Sequence, residues 1–337
     1  MKKSVAMCTY NGSKFLKVQL DSIINQTICI DEIIICDDKS TDNTIQIIEE
    51  YKAKYPNLIF LYKNGTNLGS NKNFEKAILL TSGDYIFLSD QDDVWRIDKV
   101  EKTIELFLQY PEIQGVFSNG NLINENGVVF TEFTLWDLIH FPEKILEKPI
   151  NIFNVIKSKG NIVTGATVCF KKESKQKITP FPDSKYILHD GWIALVLSYN
   201  KTLIYSTENL FSYRIHPNQQ IGGCDVKNIN HGNYIFGQIL TDTKPKAFNE
   251  TRNHLKIFKR NLKYFEDIKE FWKANNNFDL NEAIVFNQNK IAEFNKILKH
   301  NFFLDFTLTI MRRTIRRKKR HFLKKYFNYK KNKNNQL

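Results

Sequence analysis

A chain of 337 residues, with 42% apolar and 25% charged side chains, can bury one large core or two smaller ones, which excludes a disordered or fibrous class. Its net charge of +13 suggests a nucleic-acid binder until the charges are located. Residues 301–337 hold 12 Lys and Arg against one acid, Asp305, while the preceding 300 residues hold 37 basic and 35 acidic side chains, so the body is nearly neutral and the basic character belongs to a tail.

Ser4-Val5-Ala6-Met7-Cys8 reads as a buried strand ending in Thr9-Tyr10-Asn11-Gly12. Ser13 is placed to cap a helix through about Asn25, with Phe15, Leu16, Leu20, Ile23 and Ile24 at helical spacing. A second strand, Glu32 to Cys36, ends in Asp37-Asp38-Lys39-Ser40-Thr41-Asp42 and precedes a helix carrying Ile45, Ile48 and Tyr51. The third, Leu58 to Tyr62, ends in Asn64-Gly65-Thr66-Asn67-Leu68-Gly69, and a helix covers Asn73 to Leu80. The fourth, Tyr85 to Leu88, stops at Ser89-Asp90-Gln91-Asp92-Asp93-Val94-Trp95. Alternating strands and helices, with strands apolar throughout, predict an α/β fold with a mostly parallel sheet covered on both faces. The four polar clusters then share one rim, where such sheets bind ligands. Three carboxylates at one strand end repel one another unless a cation sits among them, and all-oxygen ligands favour Mg²⁺ or Mn²⁺ over zinc or copper.

A helix from about Ile97 to Tyr110 and a strand near Gly115 to Ser118 follow; Asn121 to Lys159 then reads as an irregular, aromatic-bearing insertion suited to an acceptor pocket or to ordinary packing. Asn161 to Phe170 reads as a strand interrupted by Gly165, a residue that often marks close approach of a ligand or neighbour. In Ile187-Leu188-His189-Asp190-Gly191-Trp192, an acid opens an apolar helix. Asp is a favoured N-cap, and a helix N-terminus also keeps a carboxylate ionised, as a general base requires. After a strand at Leu203 to Tyr205, the run Phe211 to Gly223, with Tyr213, Arg214 and His216, reads as a loop folding over an anionic ligand.

From about Lys246 the pattern is helical, through Leu255, Phe258, Leu262, Phe265 and Ile268 to Ile297. Met311 to Phe327 aligns Met311, Ile315, Phe322, Leu323 and Tyr326 on a stripe ringed by Arg and Lys. That is the pattern of an interfacial helix on an anionic leaflet, read here in preference to a solvated tail or a nucleic-acid contact. The five cysteines, Cys8, Cys29, Cys36, Cys169 and Cys224, are scattered and suggest reduced thiols in a cytosolic protein. The apolar run at the N-terminus is too short for a signal peptide, and no segment has the apolar length of a membrane span. The expected location is cytoplasmic, peripheral to the inner face of the plasma membrane.

Taken together, Thr9-Tyr10-Asn11-Gly12, Cys36 to Thr44, Asn67-Leu68-Gly69 with Asn73-Phe74, and Ser89 to Trp95 resemble a family 2 glycosyltransferase with the GT-A fold. That fold is the Rossmann-like fold of nucleotide-diphospho-sugar transferases. The His-Asp segment and the Tyr-Arg-x-His run narrow the likeness to the bacterial rhamnosyltransferase-like branch, with Gly191 standing where the branch usually has an aromatic. The resemblance covers residues 3 to about 223 and implies a glycosyltransferase domain at 1–223. Within it, 1–120 would be the nucleotide-sugar half and 160–223 the acceptor half. A helical extension (224–300) and a membrane-associating tail (301–337) follow.

By the same resemblance, Thr9, Tyr10, Asn11, Asp37, Asp38, Asn67, Asp90 and Arg214 would bind the donor, Asp37 accepting the N3–H of a uracil or thymine. Asp90, Asp92 and His216 would serve Mg²⁺ or Mn²⁺ on the diphosphate, and Asp190 would be the general base. The implied partners are a dTDP- or UDP-sugar, a polysaccharide or lipid-linked glycan acceptor, and an anionic membrane, with no nucleic acid. A sugar nucleotidyltransferase would instead require a Gly-rich basic phosphate loop after the first strand, which Thr9-Tyr10-Asn11-Gly12 lacks. A non-enzymatic basic adaptor would carry its activity in residues 301–337.

Overall fold

The structure is a computed structural model that describes residues 1–299 apart from 142, 147, 218, 220–228, 242–247 and 277–278. The basic stripe at 311–327, Cys224 and the Gly222-Gly223 pair therefore lie outside the described residues.

The first half alternates as expected: β1 (Lys3–Thr9), α1 (Ser13–Ile24), β2 (Glu32–Asp37), α2 (Thr44–Lys54), β3 (Ile59–Lys63), α3 (Gly69–Leu80) and β4 (Tyr85–Ser89). After β5 (Val94–Trp95) come α4 (Lys99–Gln109), β6 (Gly115–Ile123), β7 (Val129–Thr134), α5 (Leu135–Leu138) and α6 (Ile152–Lys159). Then follow β8 (Cys169–Lys171), α7 (Lys175–Ile178), α8 (His189–Tyr199), β9 (Leu203–Arg214), α9 (Ile229–Leu240) and α10 (Phe248–Asn276). A last helix, α11, spans residues 281–299.

Among the described residues nine strands form one sheet in the order β3-β2-β1-β4-β8-β6-β9-β5, with β7 on β6. The β3-β2-β1-β4 half is parallel, β8 runs antiparallel between β4 and β6, and β6 and β9 are parallel. Because side chains alternate along a strand, neighbours in sequence enter opposite cores. Val5, Met7, Ile33, Ile35 and Phe87 pack with residues of α1, α2 and α4. Ala6, Ile34, Cys36, Ile86 and Leu88 pack with residues of α3, α8 and α10. β2 and β4 are buried along their whole length, which is why they read as unbroken apolar runs.

Several local expectations are corrected. Gly12, not Ser13, caps α1, and the first helical N–H groups are served by the next loop: Gly12 N donates to Thr44 Oγ1 at 2.8 Å and Ser13 N to Asp42 Oδ2 at 3.1 Å. The Asn161 to Phe170 run is mostly not strand; Gly165–Thr167 forms a 3₁₀ turn and only Cys169 onward pairs. The segment at 121–159 is more regular than read, holding the rest of β6, the β7 hairpin, α5 and α6, with Trp136, Phe141 and Ile156 in the core. Phe211 to Arg214 is strand, not loop.

The helices beyond 246 are packed into the main core. Trp272 of α10 is fully buried 5.3 Å from Trp192 of α8 and 5.5 Å from Tyr199, with the rings edge to face, a geometry that adds about 0.5–1.5 kcal/mol per pair to area burial.

Candidate active site

Because β1, β2, β3 and β4 are parallel neighbours, their carboxyl ends form one rim, and side-chain to backbone hydrogen bonds tie the loops there together. Thr9 Oγ1 donates to Asp37 Oδ2 at 2.8 Å, and that carboxylate also accepts from Ser40 N at 2.9 Å and Ser40 Oγ at 2.6 Å. Asn11, in the left-handed region at φ 49°, accepts from Thr41 N at 2.8 Å while its own N donates to Ser40 Oγ. Thr9 and Asp37 are buried; Tyr10 and Asn11 are exposed.

Gln91 explains why an amide stands among the acids. Its Oε1 accepts from Tyr10 N at 2.8 Å and its Nε2 donates to Tyr10 O at 3.0 Å, clamping the first loop to the fourth. Gly12 must lack a side chain for this to fit, since a Cβ there would lie 2.1 Å from Gln91 Oε1.

Asp38 faces the third loop. Its carboxylate accepts from Leu68 N at 2.7 Å, Gly69 N at 2.9 Å and Asn64 Nδ2 at 2.9 Å, so it is taken up in holding the start of α3, where a carboxylate also suits the helix dipole. Asn67 belongs to the same loop, donating to Asp38 O at 3.3 Å and accepting from Gly69 N at 3.1 Å.

Asp92, expected at the metal, lies 2.9 Å from His216 Nε2 through its Oδ2, a contact across 124 residues. The last turn of β9 builds it: Arg214 donates from N to Asp93 Oδ1 at 3.1 Å, from Nε to Asp92 O at 2.7 Å, and from Nη1 to Asn124 O and Glu125 O at 3.0 Å each. Its guanidinium lies 4.6 Å from the Phe15 ring centroid, and His216 packs on the same ring at 4.9 Å. Arg214 thus braces the acidic loop through its backbone N, Nε and Nη1.

The acids are crowded; Asp93 is buried and Asp90, Asp92 and Asp190 are half-buried. Burial, then the charges of Asp92 and Asp190, push Asp90 up to about 7. Burial, then the charges of Asp92 and Asp90, push Asp93 well above the carboxylate range, and its Oδ2 has no hydrogen-bond partner. Among the described residues no three His, Cys, Asp or Glu side chains are grouped to hold a metal by themselves. The donor set nonetheless fits a hard divalent cation: a carboxylate–imidazole pair, a second carboxylate whose charge is opposed by its neighbours, and an orphaned acid oxygen. Mg²⁺ in particular is usually held by one or two carboxylates plus substrate phosphates.

Across the rim, Asp190 is the second residue of α8, not its cap; Leu188 holds the cap position. The Asp190 carboxylate accepts from Gly191 N at 2.6 Å and also from the backbone N–H of Gly165. Burial pushes it up to about 6 against the pull of those N–H groups. Its charge reaches Asp90, and the hydroxyl of Tyr213 is held well above its ordinary range by burial and then by Asp93, Asp90, Asp92 and Asp190 together. Four carboxylates from two distant segments therefore lie within electrostatic reach of Tyr213, and Asp92 and Asp190 within reach of Asp90.

Sequence reasoning passed over several residues of this pocket. Lys99, at the start of α4, is buried with its ammonium 2.6 Å from Ala166 O and 4.1 Å from the Trp95 ring centroid, an internal cation facing Asp93 and Asp90 that burial pulls down to about 7. Its signal was available: Lys99, Thr103 and Phe107 follow one another at i+4 on the buried face of α4. His189 stacks on Phe74 at 3.9 Å, is held neutral by burial, and has no hydrogen-bond partner at either ring nitrogen. A Cβ on Gly165 would lie 2.3 Å from its Nε2, so the close approach expected at Gly165 is to this ring. Asn71 links α3 to α8 by accepting from His189 N at 2.8 Å and donating to Ile187 O at 2.9 Å.

Residues 4–160 match the family model described as glycosyl transferase family 2. The dTDP-rhamnosyl transferase RfbG of Shigella flexneri is 31% identical over 230 residues, covering 64% of this chain and 73% of that one. An uncharacterized glycosyltransferase of Methanocaldococcus jannaschii, MJ1057, is 30% identical over 276 residues, 80% of this chain and 84% of its own. The crystal structure of S. aureus TarS 1-349 with UDP-GlcNAc superposes with a TM-score of 0.52 at 15% identity over 87% of this chain and 80% of that one, a likeness of fold. With an acidic rim at the ends of parallel strands and a family match over the domain that builds it, the chain belongs to glycosyl transferase family 2 and has the GT-A fold.

Proposed function

We propose that the enzyme is an inverting, metal-dependent glycosyltransferase moving L-rhamnose from dTDP-rhamnose to a surface polysaccharide or lipid-linked oligosaccharide at the inner membrane face. The observation that carries the mechanism is the pairing of Asp92 with His216 in the same electrostatic pocket as Asp90 and Asp190. The rhamnose assignment is supported by the likeness to RfbG.

On this reading Thr9, Tyr10, Asn11 and Asp37 receive the nucleoside, Asp37 accepting a base N3–H. Asn67 borders the same cleft, and Asp38 and Arg214 act on the donor through the loops they hold. Asp92, His216 and Asp90 would hold Mg²⁺ or Mn²⁺ together with diphosphate oxygens; when bound, that ion neutralises the charge gathering on the leaving group. Asp190 takes the proton of an acceptor hydroxyl as its oxygen bonds to the anomeric carbon. The bond from that carbon to the diphosphate breaks, and the nucleoside diphosphate departs with the electron pair. One base and one leaving-group site give a single displacement with inversion.

No helix among the described residues is long and apolar enough to cross a membrane. Attachment is assigned to the basic stripe at 311–327, where each basic residue near an anionic surface contributes about 1 kcal/mol. The test is a titration of the purified enzyme with dTDP, UDP and GDP in Mn²⁺, followed by transfer assays with the matching sugar nucleotides. Tightest binding of dTDP with turnover of dTDP-rhamnose supports the assignment; preference for UDP moves it to a hexose or N-acetylhexosamine.

A further inference from the structure

The last turn of α6 carries a lysine for which the reaction has no use. Lys159 is 4% exposed. Among the described residues no carboxylate, carbonyl or hydroxyl accepts from its Nζ, which lies 4.6 Å from the ring centroid of Phe236 on α9. A buried ammonium held by a single ring face is costly. Of its other neighbours Arg260 adds positive charge and His140 a neutral imidazole. Arg260 of α10 donates from Nη2 to Lys159 O at 2.9 Å. His140 stacks on the same Phe236 at 5.4 Å and meets Asn233 Oδ1 at 3.1 Å through Nδ1. The acid beside His140, Asp137, is engaged by the backbone N and hydroxyl of Thr134 at 2.8 and 2.9 Å, and the nearby Glu282 pairs with Lys157. Burial and Arg260 pull the Lys159 ammonium down to about 7, and burial and Lys159 lower His140. Lys159 and Arg260 therefore bring two cationic side chains together with no carboxylate bonded to either among the described residues, Asp137 acting on His140 alone, and Arg260 is exposed, so one side meets solvent.

Its place in the fold says what it faces. Arg260 and Tyr264 stand one turn apart on α10, about 6 Å along the axis. Tyr264 donates to Gly191 O at 3.4 Å, in the turn of α8 that carries Asp190. Asn261, between them, donates to Ser158 O at 2.8 Å. Gly160, at φ 96°, lets the chain pass beneath Arg260 to Asn161, which in turn borders Gly191. One wall thus runs from the cationic cluster to the candidate base.

We propose that Lys159, Arg260 and His140 form an anion subsite on the acceptor side, which takes a phosphate or pyrophosphate group of the acceptor while its hydroxyl faces Asp190. The inference rests on the reading of Asp190 as the base for its orientation, not for its existence. A lipid-linked acceptor would present such a group at its reducing end, and a phosphate-bearing polymer would present it along the chain.

The full-length protein is titrated calorimetrically with inorganic pyrophosphate and with farnesyl diphosphate, in chelator so that no divalent cation supports binding at Asp92 and His216. At least one probe binds the wild type and is weakened by about tenfold or more in Lys159→Met and Arg260→Gln, while Lys159→Arg retains it. Tighter farnesyl diphosphate binding assigns the anion to a lipid carrier, and equal binding of the two assigns it to phosphate itself. Equal affinities in the wild type and Lys159→Met for both probes, or no binding of either to the wild type, overturn the proposal. Nucleotide titration in Mn²⁺ shows that Lys159→Met is folded with its donor rim intact. A normal turnover in Asp190→Asn would remove the base assignment while leaving this titration standing.

Discussion

The proposed donor rim and the proposed acceptor wall of this enzyme are built by different physics. On the donor side, loops follow β1, β2, β3 and β4 directly and are stitched by short polar contacts such as Thr9 to Asp37, Gln91 to Tyr10 and Asp38 to Gly69. On the proposed acceptor side, Asp190 sits on an apolar helix whose position depends on α3, the Gly165 turn and α10. The first is a network of hydrogen bonds among neighbouring loops, each contributing about 0.5–1.5 kcal/mol. The second is hydrophobic packing between segments far apart in the chain. Substitutions on the two sides should therefore fail differently: donor-side ones in affinity, acceptor-side ones in turnover or stability.

Asp190→Asn tests this contrast most severely. Turnover should fall by about 100-fold or more while nucleotide binding in Mn²⁺ is retained. The fold should become more stable, because burial that raises the folded carboxyl to about 6 disfavours the ionised form at neutral pH. That penalty is absent at low pH and grows as pH rises from the unfolded carboxyl range through 6, to at most about 3 kcal/mol. A thermal midpoint at pH 7.5 no higher than that of the wild type would contradict the burial argument. The same shift predicts that wild-type turnover declines as pH falls through about 6, where the base takes up its proton.

Trp272→Ala probes the packing that supports α8. Loss of a fully buried indole should cost about 3–5 kcal/mol, read as a lowered denaturant midpoint. An unchanged midpoint would detach the C-terminal helices from the catalytic half. Gly165→Ala forces a methyl into His189 and should cut turnover about tenfold, with overpacking costing about 1–3 kcal/mol. Equal loss of nucleotide affinity would mean that the turn serves the donor instead.

Gln91→Leu removes both contacts to the Tyr10 backbone and should raise the donor KM by about 5–30-fold, given about 1 kcal/mol per hydrogen bond, with kcat little changed. The smallest effect is expected from removing residues 301–337, which should release the protein from anionic vesicles and leave donor hydrolysis at wild-type level. Lost hydrolysis would return the tail to the catalytic unit.

The contrast also governs what could be read in advance. The four opening strands and the polar clusters behind them were legible because a fully buried strand announces itself as an apolar run and ends where the polar residues begin. The residue types single out Asp92 and His216 separately, but their 2.9 Å contact depends on β9 continuing through Arg214, where the run by itself reads as a loop. Lys99 and His189 were missed because their types favour solvent, and what buries them is supplied by other segments: Trp95, Phe211 and Ala166 for the lysine, Phe74 and Gly165 for the histidine.

By itself the sequence determined the alternation of strand and helix, the location of the acids and the neutrality of the body, since these follow from local periodicity and residue chemistry. Only the tertiary structure decided that Asp38 and Arg214 brace neighbouring loops, that Gln91 locks the first loop, and that α10 reaches the helix of Asp190. Those roles depend on which hydrogen-bond partners and apolar surfaces meet across the sheet, and local patterning carries no record of that.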